Sequence, residues 1–198
     1  LQQTCYETVS PEVFAKMADT QTPQEILTVL EQPSYDLTQL LEQPWPLFLN
    51  LANLQDPGNL GTMIRTGEGA GITGVIMNQQ TVDIFNPKTI RSTMGSVYRV
   101  PFLYLEDICE TVRELKNKGI CTYAAHLKGT GSYDEQDYTK GTAFLIGNEG
   151  NGLTDQLADL ADTYIRIPMY GQLESLNAAV ASAVLMYETQ RQRRKNGK

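Results

Sequence analysis

The chain has 198 residues, 41% hydrophobic and 20% charged, which is enough for one domain with a real core and too apolar for a disordered, collagen-like or coiled-coil chain. No run nears the roughly 20 apolar residues of a membrane span and no basic-then-apolar leader opens the chain, so the expected protein is soluble, cytoplasmic and without a membrane partner. A formal charge of −7, from 16 Lys and Arg against 23 Asp and Glu, taken alone disfavours a nucleic-acid partner.

The distribution of that charge alters the reading. Residues 1–45 hold seven acids and one base, Lys16, for a net of −6, while residues 46–198 are near neutral at −1. Five bases, Arg191, Arg193, Arg194, Lys195 and Lys198, fall in the last eight residues. The chain reads as an acidic arm, a near-neutral body and a basic tail. Cys5, Cys109 and Cys121 form no CxxC pair, and the single histidine, His126, excludes a two-histidine metal site. Reduced, mostly buried thiols and no metal are expected.

In chain order, Pro33, Pro44 and Pro46 mark residues 32–46 as a linker or junction. From Leu47 onward, short apolar strands alternate with amphipathic helices. Strands are expected at 47–51, 74–77, 99–104, 120–125, 143–146 and 164–167, and helices at 60–70, 87–94, 106–118, 154–161 and 176–193. That alternation predicts an α/β fold, a mostly parallel sheet with helices on both faces. On the final helix, Leu176, Val180, Ala183, Val184 and Tyr187 share one face, and Ala178, Ala179, Ala181 and Ser182 keep much of the rest small. A buried core helix is the simpler reading and a dimer interface the alternative.

Ligands of open α/β sheets bind beyond the carboxyl ends of the strands, yet the familiar fingerprints are missing there. The run Gly67-Glu68-Gly69-Ala70-Gly71 follows a helical stretch and lacks GxGxxG spacing, so it reads as a helix end. There is no phosphate loop, no HExxH and no GxSxG. His126 sits at a strand end, where a structural role is the simpler reading and a general base the alternative.

Three polar clusters remain. The first is Asn53-Leu54-Gln55-Asp56-Pro57-Gly58-Asn59-Leu60-Gly61, followed by Arg65. Its turn formers suit a capped strand-to-helix junction, and an Asn and an Arg on one helix could also hold a phosphate and an adjacent hydroxyl. The second runs from Leu145 to Leu153, with three glycines in six positions directly after an apolar strand and Glu149 its only acid. Such backbone lets a flat ligand come close. The third leads from Ile165-Arg166-Ile167-Pro168-Met169 to Glu174-Ser175-Leu176-Asn177 at the start of the final helix, where free N–H groups favour an anion. A helix cap explains one of Ser175 and Asn177, not both.

These clusters, in this order and spacing, resemble the three motifs of the SPOUT superfamily of RNA methyltransferases, specifically the SpoU (TrmH-like) 2'-O-ribose branch. The matching segments are NLQDPGNLGTMIRTGEGAG (53–71), FLIGNEGNGL (144–153) and IPMYGQLESLNAAVASAVLMYE (167–188), and NPKTIRSTMGSVYRVPF (86–102) is similar to the family's basic segment. The resemblance implies a C-terminal deep trefoil knot, S-adenosyl-L-methionine (AdoMet) as cofactor, RNA as partner and a homodimer that buries the final helix. It places the cofactor against Leu127, Gly129, Gly147, Asn148, Glu149, Gly150, Ile167, Met169, Ser175, Leu176 and Asn177. Residues 9–14, 19–20 and 22–24 are similar to the end of the family's L30e-like RNA-binding domain. Residues 1–45 are therefore expected to be a remnant of that domain plus linker, and 46–198 the catalytic domain; the chain's opening on Leu1 fits a fragment.

The implied reaction moves the AdoMet methyl to a ribose 2'-hydroxyl, of ribosomal RNA in preference to transfer RNA. Arg65, Asn59, Glu149, Ser175 and Asn177 are the expected catalytic residues, and Asn59, Arg65 and Arg91 are expected to touch the substrate. An arginine is a poor base, so Arg65 is expected to clamp phosphate and polarise the hydroxyl. The rival readings are an idle RNA-binding or dimerisation module of the same fold and a nicotinamide-dependent oxidoreductase.

Overall fold

The computed structural model describes residues 6–18, 22–129 and 131–198, and the chain forms two compact units, Leu1–Ser34 and Tyr35–Lys198. Among its described residues the first unit contains one helix, α1 (Pro11–Met17), which has Ser10 as its N-cap and buries none of its residues. Asp19, Thr20 and Cys5, which figured in the sequence reading, lie outside the described residues.

The second unit begins earlier than the proline spacing suggests. A short helix α2 (Leu37–Leu41), capped by Asp36, buries Leu40 and Leu41 in the core beside Phe48, so residues within the expected linker belong to the domain. Strand β1 (Leu47–Leu51) follows, all five residues buried, as a continuous apolar run covered on both faces must be. Next come α3 (Pro57–Gly69), β2 (Gly74–Asn78), α4 (Pro87–Thr93), a 3₁₀ turn at Ser96–Tyr98 and β3 (Phe102–Leu105). The chain continues through α5 (Ile108–Asn117), β4 (Cys121–Ala125), the two-residue β5 (Gly131–Ser132) and β6 (Thr142–Ile146). It closes with α6 (Asp155–Ala158), β7 (Thr163–Arg166) and α7 (Ala178–Lys195). Every predicted strand and helix of the body exists; α1, α2 and β5 went unrecognised because each is short and lacks a period.

The seven strands form one sheet in the order β3-β2-β1-β6-β4-β7-β5, and every pairing is parallel. Leu47, Leu49 and Leu51 pack under α3 and α7, through Leu60, Met63, Ile64, Leu185 and Met186. The opposite face is covered by α2, α5 and α6 through Leu41, Leu115, Val112 and Leu157. Each covered face removes apolar area worth about 25 cal/mol per Å² from water. Asn50, on that second face of β1, is 1% exposed and has no hydrogen-bond partner for its carboxamide among the described residues.

One expectation is corrected. In α7 the inward residues are Ala179, Ser182, Leu185, Met186 and Thr189, whereas Val180 and Tyr187 are 49% and 53% exposed. Of the expected face only Val180 and Tyr187 are open to solvent, and Leu176, Ala183 and Val184 are half-buried, while Ala179 and Ser182 keep α7 close to its neighbours. The basic tail is partly built into the fold. Arg193 is buried and donates to the carbonyls of Tyr138, Lys140 and Pro46 at 3.1, 2.8 and 3.3 Å, and Arg191 pairs with Glu188. Cys109 and Cys121 are unpaired and half-buried. Gly71, with φ of +64°, closes the α3 terminus, as the helix-end reading required. No helix among the described residues is long and apolar enough to cross a membrane.

Candidate active site

The carboxyl ends of β4, β6 and β7 open into a cavity of about 500 Å³, within the roughly 300–1,000 Å³ of small-molecule sites. Its walls are the turn after β4 (Ala125, His126, Leu127), the loop after β6 (147–153) and the segment from β7 to α7, including Ile167, Met169, Ser175, Leu176 and Asn177. Ten of the eleven residues expected around the cofactor line it. Gly129 does not: it lies behind the wall, where a Cβ would sit 2.8 Å from the Ile165 carbonyl carbon. Arg166, Glu174 and His126 also line the cavity and were not among the expected ligands. Arg166 and Glu174 belong to the third cluster, but neither type carries a recognisable ligand spacing, and His126 reads in the sequence only as a structural residue or a general base.

The loop after β6 owes its shape to glycine and asparagine. A Cβ on Gly147 would lie 2.0 Å from the Gly152 carbonyl carbon, so only glycine permits the tight return. Asn148 and Gly152 exchange backbone hydrogen bonds at 3.1 and 2.9 Å, and the Asn148 Oδ1 accepts from the N–H groups of Gly150 and Asn151. The wall presented to a ligand is therefore mainly backbone.

A hydrogen-bonded chain joins the three clusters. Glu149 accepts from the Asp56 N–H (3.0 Å) and the Asn59 side-chain amide (3.0 Å) at Oε1, and from the Gln55 N–H (3.1 Å) at Oε2. The Asn177 amide donates to Asn59 Oδ1 at 3.0 Å, while Asn177 Oδ1 caps α7 by accepting from Ala179 and Val180. Asp56 caps α3 through the Asn59 N–H at 2.7 Å, which fixes Asn59 in the first turn. Partial burial pushes the Glu149 carboxyl up, but the bonds from Asn59, Gln55 and Asp56 outweigh it and hold its pKa below the ordinary value. Glu149 is thus an ionised tether between segments. Asn177 is the cap that the third cluster called for, and the Ser175 hydroxyl makes no hydrogen bond among the described residues and borders the cavity.

Arg65 stands apart from this chain. Six residues beyond Asn59 it is about 9 Å further along the axis and about 240° around it, so the two side chains leave α3 in different directions. It is exposed and does not line the cavity. Its side of α3 meets α4, since Gly61, one turn earlier, packs on Thr89 and Ser92. Lys88, Arg91 and Arg99 are exposed on that edge, where Lys88 pairs with Asp56 and Arg99 with Glu68, whereas Arg65 and Arg91 have no ion pair among the described residues.

A sequence model described as the SpoU rRNA Methylase family matches residues 46–187. A Bacillus subtilis protein named 23S rRNA (guanosine(2553)-2'-O)-methyltransferase RlmP is 38% identical over 183 residues, covering 92% of this chain and 71% of that one. An uncharacterized tRNA/rRNA methyltransferase of Synechocystis is 35% identical, and the chain spans 66% of its length. Among solved structures, the SpoU methyltransferase AviRb of Streptomyces viridochromogenes in complex with AdoMet superposes with a TM-score of 0.85 at 29% identity, over 94% of this chain and 73% of that one. An AdoMet-bound rRNA methyltransferase of Sinorhizobium meliloti gives 0.84 at 34% identity, over 92% and 70%.

Proposed function

The chain belongs to the SpoU rRNA methylase family, and we propose that it is an AdoMet-dependent RNA 2'-O-ribose methyltransferase acting on ribosomal rather than transfer RNA. The observation that carries the reading is that segments 147–152 and 175–177 line one cavity and are both tied to the third segment, 53–59, through the Glu149–Asn59 and Asn59–Asn177 hydrogen bonds.

The cavity suits the cofactor. Its volume and its backbone-lined wall, closed by the Gly147 to Gly152 return, accept a flat base and a flexible tail. Leu127, Gly147, Asn148, Gly150, Ile167, Met169, Leu176 and the Ser175 hydroxyl would hold it, with Gly129 shaping the turn behind. When bound, AdoMet supplies an electrophilic methyl on a sulfonium. The protein's part is alignment of the attacking oxygen and exclusion of water. Glu149 and Asn177 position Asn59, which orients the ribose. Arg65 and Arg91, exposed on the α3–α4 edge with no ion pair among the described residues, take RNA phosphate, and Arg65, outside the cavity, polarises the hydroxyl from the RNA side.

Further parts of the reading follow from family membership: the chain around β6, β7 and α7 threads a trefoil knot, the exposed Val180–Tyr187 side of α7 is covered by a second copy, and the enzyme works in the cytoplasm. Incubation with labelled AdoMet and separately purified ribosomal and transfer RNA tests the substrate. Label entering ribosomal RNA is the expected result; label confined to transfer RNA would overturn that choice, and no label in either would overturn the activity.

A further inference from the structure

We propose that Asn78, the last residue of β2, is a positioning residue that sets the ligand-facing loop after β6 by holding Asn53; the ligand side of this proposal rests on the cofactor reading above. Asn78 lies outside the three clusters and does not line the cavity, yet it is 7% exposed and its carboxamide makes three hydrogen bonds. Its Oδ1 accepts from the Asn53 N–H at 3.0 Å and the Thr81 hydroxyl at 2.8 Å, and its Nδ2 donates to Asn53 Oδ1 at 2.7 Å.

This two-point grip matters because Asn53 is held at φ of +57°, in the left-handed region that few non-glycine residues occupy. That conformation turns the chain at the end of β1 so that the Asn53 carbonyl accepts from the Asn148 amide at 2.9 Å. The same carbonyl accepts from the Gln55 side chain, which also donates to the Gln80 carbonyl at 2.7 Å and so draws the two loops together. Asn148 then holds the Gly150 and Asn151 N–H groups in the cavity wall. The turn begun at Asn53 also delivers the Gln55 and Asp56 N–H groups to Glu149. Asn78 therefore acts on the wall through Asn53 and Asn148, without reaching the ligand.

The test compares Asn78→Leu, of similar size without polar atoms, with Asn78→Asp, whose carboxylate accepts from Asn53 N–H and Thr81 while the Asn53 amide turns over to donate to it. Val112→Ala, a core cavity on the other face of the sheet, controls for lost stability. Asn78→Leu is expected to weaken AdoMet binding and raise its KM about tenfold, the worth of one buried hydrogen bond, with kcat within about twofold of wild type. In the ligand-free protein, amide exchange at Gly150 and Asn151 accelerates about tenfold. Asn78→Asp recovers most of both effects and Val112→Ala shows neither. Wild-type exchange and affinity in Asn78→Leu, or the same losses in Val112→Ala, would overturn the proposal. If the wild type bound no AdoMet, the cofactor reading would fall, and exchange in the ligand-free protein would still decide the role of Asn78.

Discussion

Glu149 accepts three hydrogen bonds from residues more than 85 positions away, so its charge is the residue-scale feature that holds the site together. Because its pKa is lowered on folding, its contribution is full above its ordinary value of 4.5 and is lost as pH falls through the lowered folded value. Cofactor affinity should accordingly be flat through neutral pH and collapse in acid. Glu149→Gln removes the charge and turns an amide toward N–H donors. It should weaken AdoMet binding by about 10- to 100-fold, since hydrogen bonds to charged groups contribute about 1.5–3 kcal/mol, and calorimetry measures it. Arg65 makes the opposite prediction. Arg65→Ala should leave AdoMet affinity unchanged and lower methyl transfer by about 100-fold, the loss of one charge-assisted clamp. Transfer within a few-fold of wild type, with RNA still bound, would remove Arg65 from the mechanism.

Elements were more legible in the sequence than their orientations. Asn53 to Asn59 announced a strand, a turn and a capped helix because Asn, Asp, Pro and Gly each have a local reason to be there, and the structure caps α3 with Asp56 as that chemistry requires. The cavity-lining residues were legible as motifs, since a glycine-rich return after a strand is informative without its partners. The orientation of α7 was not, because small residues occupy both of its sides and period alone cannot say which one packs. Asn78 was illegible for a different reason: a single Asn at a strand end looks like an ordinary turn former, and its partner lies 25 residues away. Arg193 was hidden in a basic run although it satisfies carbonyls before β1 and before β6. Burial lowers its pKa from the ordinary value, and removing the guanidinium deletes three buried charge-assisted hydrogen bonds and leaves a cavity, although the Pro46 and Lys140 carbonyls keep the Thr142 N–H and hydroxyl. Arg193→Ala should therefore destabilise the protein by about 3 kcal/mol in urea unfolding, where a mutation of the solvated Arg194 should change little.

At the scale of the molecule, the net charge of −7 proved a poor guide, because residues 1–45 carry −6 of it while the proposed substrate edge of α3 and α4 gathers cations. RNA affinity should fall steeply with salt, with a slope set by a handful of phosphate contacts. The exposed side of α7 belongs to the same scale. If a second copy covers it, Tyr187→Asp should convert a two-chain species to one chain in sedimentation; a wild-type monomer, or a variant that stays dimeric, would contradict the proposed assembly. The central claim, methyl transfer to the ribose oxygen, is tested most directly by where the methyl lands. RNA labelled by this protein from labelled AdoMet should yield its label in alkali-stable dinucleotides after alkaline hydrolysis, because a methylated 2'-oxygen cannot attack the neighbouring phosphate. Label released instead in mononucleotides, on the bases, would contradict the account.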